Sequence, residues 1–303
     1  MLHLRVITPT ELRDEVIDIF RANPGVAHLV VHRDAALEPQ GDEITADIAR
    51  ESANDVVGEL KALGVKERGA ITLDFVDTVL STRAYRAEDE AEGEPADAVI
   101  WDELVSRTRE ESSLTITYLM FLCIACMIAA VGVVTDSPVT VVGAMVVGPE
   151  FGPLAALAVA LVRRRLHLAR RAALALVIGF PAAMAVTAVF TLAVEAIGWV
   201  TLDSTSELSE VDFIFQVGPF SLVVAMLAGA AGMLSLVSAK SAALVGVFIS
   251  VTTVPAAGFA VVAATVGDWD IALQSAAQLA VNLVGIVLAA VLVLWVYQRS
   301  SAR

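Results

Sequence analysis

From residue 113 to residue 297 the chain is built of apolar runs that are too long for the core helices of an ordinary globular domain. A helix needs about 20 mostly apolar residues to cross the hydrocarbon layer of a bilayer. Six stretches reach that length: 113–134, 139–162, 172–198, 219–239, 242–266 and 271–297. The sequence therefore predicts an α-helical polytopic membrane protein with about six transmembrane helices over residues 113–303.

Charge divides the chain in the same place. Residues 1–112 carry 12 Lys and Arg against 25 Asp and Glu, so −13 of the net −14 charge sits in the first third. Such an acidic surface excludes nucleic acid as a partner, because binding there needs basic groups to meet phosphates. It also disfavours docking on anionic lipid. The opening residues Met1-Leu2-His3-Leu4-Arg5 lack a signal-peptide core, which predicts a cytoplasmic N-terminus.

Loop charge then sets an expected orientation. Arg163, Arg164, Arg165, Arg170 and Arg171 fall between the second and third spans, Lys240 between the fourth and fifth, and Arg299 and Arg303 after the sixth. Asp136, then Asp203, Glu207, Glu210 and Asp212, then Asp268 and Asp270 fill the alternate loops. Six spans with both termini in the cytoplasm put every basic loop inside and every acidic loop outside. The expected location is the inner (plasma) membrane.

Residues 1–80 read as a small soluble domain. Leu2, Leu4 and Val6 alternate with polar residues at strand period. Thr8 is the expected N-cap of a helix with Pro9 first and Glu11 three residues on, ended by Asn23-Pro24-Gly25. Strands follow at 26–32 and 44–48, a helix at 53–63 stopped by Gly64, and a strand at 70–76. This β-α-β-β-α-β order predicts a ferredoxin-like α+β domain. His28 and His32 would share one strand face, but two histidines alone fall short of a metal site, and no metal or cofactor is expected. Residues 81–112 are expected to hold an acidic linker, 86–97, and an interfacial helix carrying Val99, Trp101, Leu104 and Val105. Cys123 and Cys126 read as small buried hydrophobes in an apolar run.

The two membrane halves repeat weakly. Setting Gly143 on Gly246 aligns two helix–turn–helix segments, each with a second helix that is interrupted. The interruption is Gly148-Pro149-Glu150-Phe151-Gly152-Pro153 in the second span and Ser250-Val251-Thr252-Thr253-Val254-Pro255 in the fifth, with Glu150 on Thr253. Three spans per half is an odd number, so the halves form an inverted 3+3 repeat. Inverted repeats with helices broken at matching positions are a mark of secondary transporters. A broken helix in lipid leaves backbone groups that cost several kcal/mol each unless protein, water or a ligand pairs with them.

Glu150 is the leading candidate for function, because an intramembrane carboxylate is costly to keep. It would bind a cation with freed carbonyls near Val147 and Gly148, or exchange a proton; the plainer role is to cap the half-helix that follows. Gly148, Gly152, Ser250, Thr252 and Thr253 complete the expected solute or ion site. Gln278 and Asn282, four apart on the last span, line the same cavity or join helices. Small residues such as Ala228, Gly229, Ala231 and Gly232 permit close packing within the chain or between copies in a homo-oligomer.

The segment from Leu114-Thr-Ile-Thr-Tyr-Leu-Met-Phe through Asp136-Ser-Pro, and the run Gly143-Ala-Met-Val-Val-Gly-Pro-Glu-Phe-Gly-Pro-Leu-Ala-Ala, resemble the domain of unknown function 389 family, the uncharacterised hydrophobic domain family. The resemblance implies a prokaryotic membrane protein and brings no substrate with it. The expected function is a secondary transporter or channel for a small solute or ion, with a cytosolic domain for regulation or oligomerisation. The alternative is a membrane-anchored sensor whose cytosolic domain binds a ligand or partner. No enzyme is expected: HExxH, GxSxG and a nucleophile–base pair are missing from the sequence, and His167 is the one histidine of the membrane half.

Overall fold

The computed structural model describes residues 1–93, 98–198, 219–238 and 253–300. The chain divides into two compact units, Met1–Asp102 and Glu103–Arg303.

In the first unit, β1 (Leu2–Thr8), α1 (Arg13–Ala22), β2 (Val26–Leu37), β3 (Gln40–Ile48), α2 (Ala53–Ala62), a short α3 (Val65–Arg68) and β4 (Ala70–Phe75) follow in order. The sheet is antiparallel with order β2-β3-β1-β4, the arrangement of a split β-α-β unit. Period-two alternation decides its buried face. Leu2, Leu4 and Val6 of β1 and Ile44, Ala46 and Ile48 of β3 are fully buried against Val16 and Phe20 of α1 and Val56, Val57 and Leu60 of α2. Gly64, at φ +83°, follows α2 in the left-handed conformation that favours glycine.

One local expectation is corrected. Thr8 does not cap a helix. It pairs with Asp42 as the last residue of β1, and α1 begins only at Arg13, after a 3-10 turn over Thr10–Leu12. The strand ladder claims Thr8 because Gly41 packs directly on its carbonyl, leaving no room for a Cβ. Of the acidic linker expected over 86–97, residues 86–90 form the end of helix α4 (Thr82–Glu90), capped by Ser81, whose Oγ accepts from Arg83 N (3.2 Å) and Ala84 N (3.4 Å). Ala84 and Ala87 are its buried face. Helix α5 (Trp101–Glu111) comes next.

The second unit holds α6 (Ile116–Val134), α7 (Pro138–Val147), α8 (Phe151–Val162), α9 (Leu166–Ala196), α10 (Pro219–Val237), α11 (Val254–Val266) and α12 (Trp269–Ser300). Among the described residues, four helices are long and apolar enough to cross a membrane: α6, α9, α10 and α12. The bent pair α7 and α8 makes a fifth if it is one span. Of the stretch 242–266 expected as a span, the described part is Thr253 and the 13-residue α11. These helices present bare apolar side chains outward, including Val139, Val177, Val189, Phe220 and Leu273 at 69–83% exposure. A surface of that kind suits lipid and not water. The chain is a membrane-spanning protein.

Inside, the packing relies on small residues, because lipid removes the hydrophobic drive between helices and leaves close contact as the main attraction. Ala125, Ala129, Ala175, Ala183, Ala256 and Ala257 lie in one buried cluster. A Cβ on Gly229 of α10 would stand 2.4 Å from the carbonyl oxygen of Ile286 in α12, and one on Gly258 of α11 would stand 2.7 Å from Ala129 of α6.

Candidate functional site

The chain breaks between α7 and α8 where its sequence requires. Gly148 ends α7 with φ −63° and ψ 127°, an extended conformation imposed by the Pro149 ring that follows. The chain then bends by 54° before α8. Gly152, in the first turn of α8, lies against the backbone of Glu111, where a Cβ would come within 2.8 Å of the carbonyl oxygen.

Glu150 occupies the N-cap position of α8, yet its side chain makes no capping hydrogen bond to that helix. It reaches instead to the head of α11. Thr253 Oγ1 donates to Glu150 Oε1 at 2.6 Å, and both residues are fully buried. Thr253 is likewise the N-cap residue of its helix and makes no side-chain cap there. Two helices, α8 and α11, thus begin at the two residues that touch. Each N-terminus carries roughly half a positive charge, so two such ends converge on one carboxylate.

Ser250 and Thr252, named with Thr253 as candidates, lie outside the described residues. Gln278 and Asn282 are buried on α12 and join it to α10. Gln278 Nε2 donates to Asn282 Oδ1 (3.1 Å) and, closely, to Ser221 Oγ, and Ser221 Oγ donates to Asn282 Oδ1 (3.2 Å). Sequence reasoning missed Ser221 and also the fully buried Ser275. Ser275, Gln278 and Asn282 at i, i+3 and i+7 share one helix face, a signal present in the sequence.

The small domain holds a second polar cluster that the sequence did not show. His3 and His28 flank Asp47: His3 Nδ1 is 2.8 Å from Oδ1 and His28 Nδ1 is 2.6 Å from Oδ2. On its other side His28 Nε2 is 2.7 Å from Ser81 Oγ. His28 adopts φ +51° at a bulge between Ala27 and Val30, which breaks the alternation that would have set it beside His32. Partial burial works to raise the Asp47 carboxyl, but the hydrogen bonds from His3 and His28 outweigh it and hold it below the usual range. The hydroxyl–imidazole–carboxylate series has the order of a nucleophilic triad. Ser81 Oγ also accepts from Arg83 N and Ala84 N of α4, so the series ties β1, β2 and β3 to the start of that helix.

A bundle of apolar helices with an interrupted, carboxylate-bearing element, joined to a small antiparallel α+β domain, defines the class: a helical membrane-spanning protein. Residues 145–288 match the family model described as Domain of unknown function (DUF389). The matched region starts just before the Gly148 break and runs through α8 to most of α12. No curated protein and no solved structure matches the chain.

Proposed function

We propose that this protein is a secondary transporter or channel for a small solute or ion, with its site where the second and fifth spans are broken. The observation that carries the reading is the buried hydrogen bond between Glu150 and Thr253, which joins the heads of α8 and α11.

The spacing supports an inverted 3+3 repeat of six spans. Glu150 and Thr253 are 103 residues apart. The same offset carries α6 onto 219–237, the bounds of α10, and α8 onto 254–265, one residue short of α11. It carries α9 onto 269–299, one residue short of α12. Contacts follow the offset as well. Gly179 of α9 lies against Tyr118 of α6, and the matching positions are Asn282 of α12 and Ser221 of α10, which are hydrogen-bonded. Residues related by a pseudo-two-fold axis meet each other only near that axis, which lies in the membrane plane for inverted repeats. Contact between Glu150 and its counterpart Thr253 fits that position.

The chemistry follows from the two helix ends. With Glu150 ionised, its carboxylate lies beside both ends and disfavours a second anion there. With Glu150 protonated, they are available to an anionic solute or to the polar end of a neutral one. Proton exchange at Glu150 therefore alternates with solute at one place, which is a coupling mechanism. Both termini lie in the cytoplasm in this reading, and the small domain regulates the membrane part.

The test uses single cysteines at Gly148 and Thr253 in a background with Cys123→Ala and Cys126→Ala, in membrane vesicles of both orientations. A transport site reacts with an impermeant maleimide from each side in turn. Cysteines inert from both sides would make the junction a packed anchor and overturn the reading.

A further inference from the structure

The first unit carries 10 Lys and Arg against 22 Asp and Glu, and the basic groups are not spread evenly. Three of the ten, Arg21, Arg83 and Arg86, line one open cleft of about 930 Å3 together with His28 and a single acid, Glu90. In a domain with this charge ratio, a cleft whose arginines outnumber its acids three to one opposes the rest of the surface. Its volume is that of a small-molecule site.

The walls come from separate elements. Arg21 ends α1, His28 sits at the β2 bulge, and Arg83 and Arg86 lie three apart on α4, on one helix face. The start of α4 adds its positive end. Phe20, Pro24 and Leu29 give the cleft an apolar side. The network of His3, Asp47, His28 and Ser81 fixes α4 against the sheet, so the arginines are held at a set place rather than on a loose segment. The guanidinium fork suits phosphate oxygens two at a time.

We propose that this cleft binds a soluble phosphorylated small molecule with an apolar or aromatic portion, and that the small domain thereby senses it. The arginines take the phosphate groups and the Phe20–Pro24 side takes the rest. A soluble ligand is favoured over a lipid headgroup because the acidic remainder of the domain is repelled by an anionic bilayer. The proposal is independent of the transport reading.

The test is equilibrium binding to the full chain in detergent, with ATP, inorganic phosphate and adenosine as probes. ATP is expected to bind, inorganic phosphate to compete with it, and adenosine alone to bind weakly. Arg83→Glu with Arg86→Glu is expected to weaken ATP binding about tenfold or more, while Lys66→Glu, away from the cleft, leaves it unchanged. Both altered arginines are exposed, and circular dichroism checks that the variant is folded. ATP binding that is undetectable, or that the double reversal leaves intact, would overturn the proposal. Loss of ATP binding in nanodiscs containing phosphatidic acid, but not in zwitterionic ones, would assign the cleft to a headgroup and overturn the soluble ligand.

Discussion

Thr253 donates to Glu150 at 2.6 Å, and each of these residues stands at the head of a helix that its own side chain does not cap. A buried carboxylate that caps its own helix would need no partner on another. Here the interaction crosses between two segments 103 residues apart, so the energy of the contact is shared by the heads of α8 and α11.

A hydrogen bond to a charged group is worth about 1.5–3 kcal/mol and a neutral one about 1 kcal/mol. Thr253→Val is therefore expected to cost about 1.5–3 kcal/mol beside an ionised Glu150, and about 1 kcal/mol in the Glu150→Gln background. Denaturant unfolding of the two single variants and the double variant in detergent measures the coupling. Equal costs in both backgrounds would mean that charge on Glu150 adds nothing to the bond.

The helix contacts make a contrast between two glycines. Gly229→Ala drives a methyl against the Ile286 backbone, whereas a Cβ on Gly143 meets nothing within 4 Å. Overpacking of this kind costs about 1–3 kcal/mol, while Gly143→Ala in mid-helix gains up to about 1 kcal/mol from propensity. Thermal melts of the two variants beside wild type should move in opposite directions.

In the small domain, Asp47 is held low by His3 and His28 against the opposing effect of burial. A carboxyl lowered on folding adds stability above its unfolded value, near pH 4, and loses it as pH falls through its folded value. Asp47→Asn is expected to destabilise this domain at neutral pH, with the difference from wild type disappearing in acid. Unfolding of the full chain, followed by Trp101 fluorescence at several pH values, tests this.

Glu51 has the opposite sign. Burial raises its carboxyl, and Glu88 nearby adds to the shift. Its folded form prefers the proton, so stability is full below the unfolded value and declines as pH rises through the folded one. Glu51→Gln is expected to stabilise the domain at neutral pH and to be neutral in acid. A loss of stability at neutral pH would show that the ionised carboxylate is needed there.

Strong periodicities were legible in the sequence. Leu2, Leu4 and Val6, with Ile44, Ala46 and Ile48, reveal buried strand faces because alternation alone sets which side chain meets the core. Gly148-Pro149 likewise dictates a break wherever it falls in a helix. Helix α4 was not legible, because only Ala84 and Ala87 are buried on it and a polar helix with so small an apolar face reads as a spacer. Nor was the end of β2 from Arg33 to Leu37, which is mostly exposed and lacks alternation. The Asp47 cluster depends on the bulge that turns His28, and a bulge adds one residue without a composition signal. Ser221 was hidden for a different reason: a serine in a span is ordinary until its partners on α12 are known.

The most direct measurement is solute flux in proteoliposomes, with and without a pH gradient, across a panel of inorganic ions and small organic acids. Wild type is set beside Glu150→Gln. Wild type is expected to move at least one of these solutes, driven by a proton gradient, and Glu150→Gln is expected to abolish the driven flux while remaining folded. Driven flux that survives Glu150→Gln unchanged would contradict the role given to this carboxylate, and no flux of any solute in wild type would contradict transport itself.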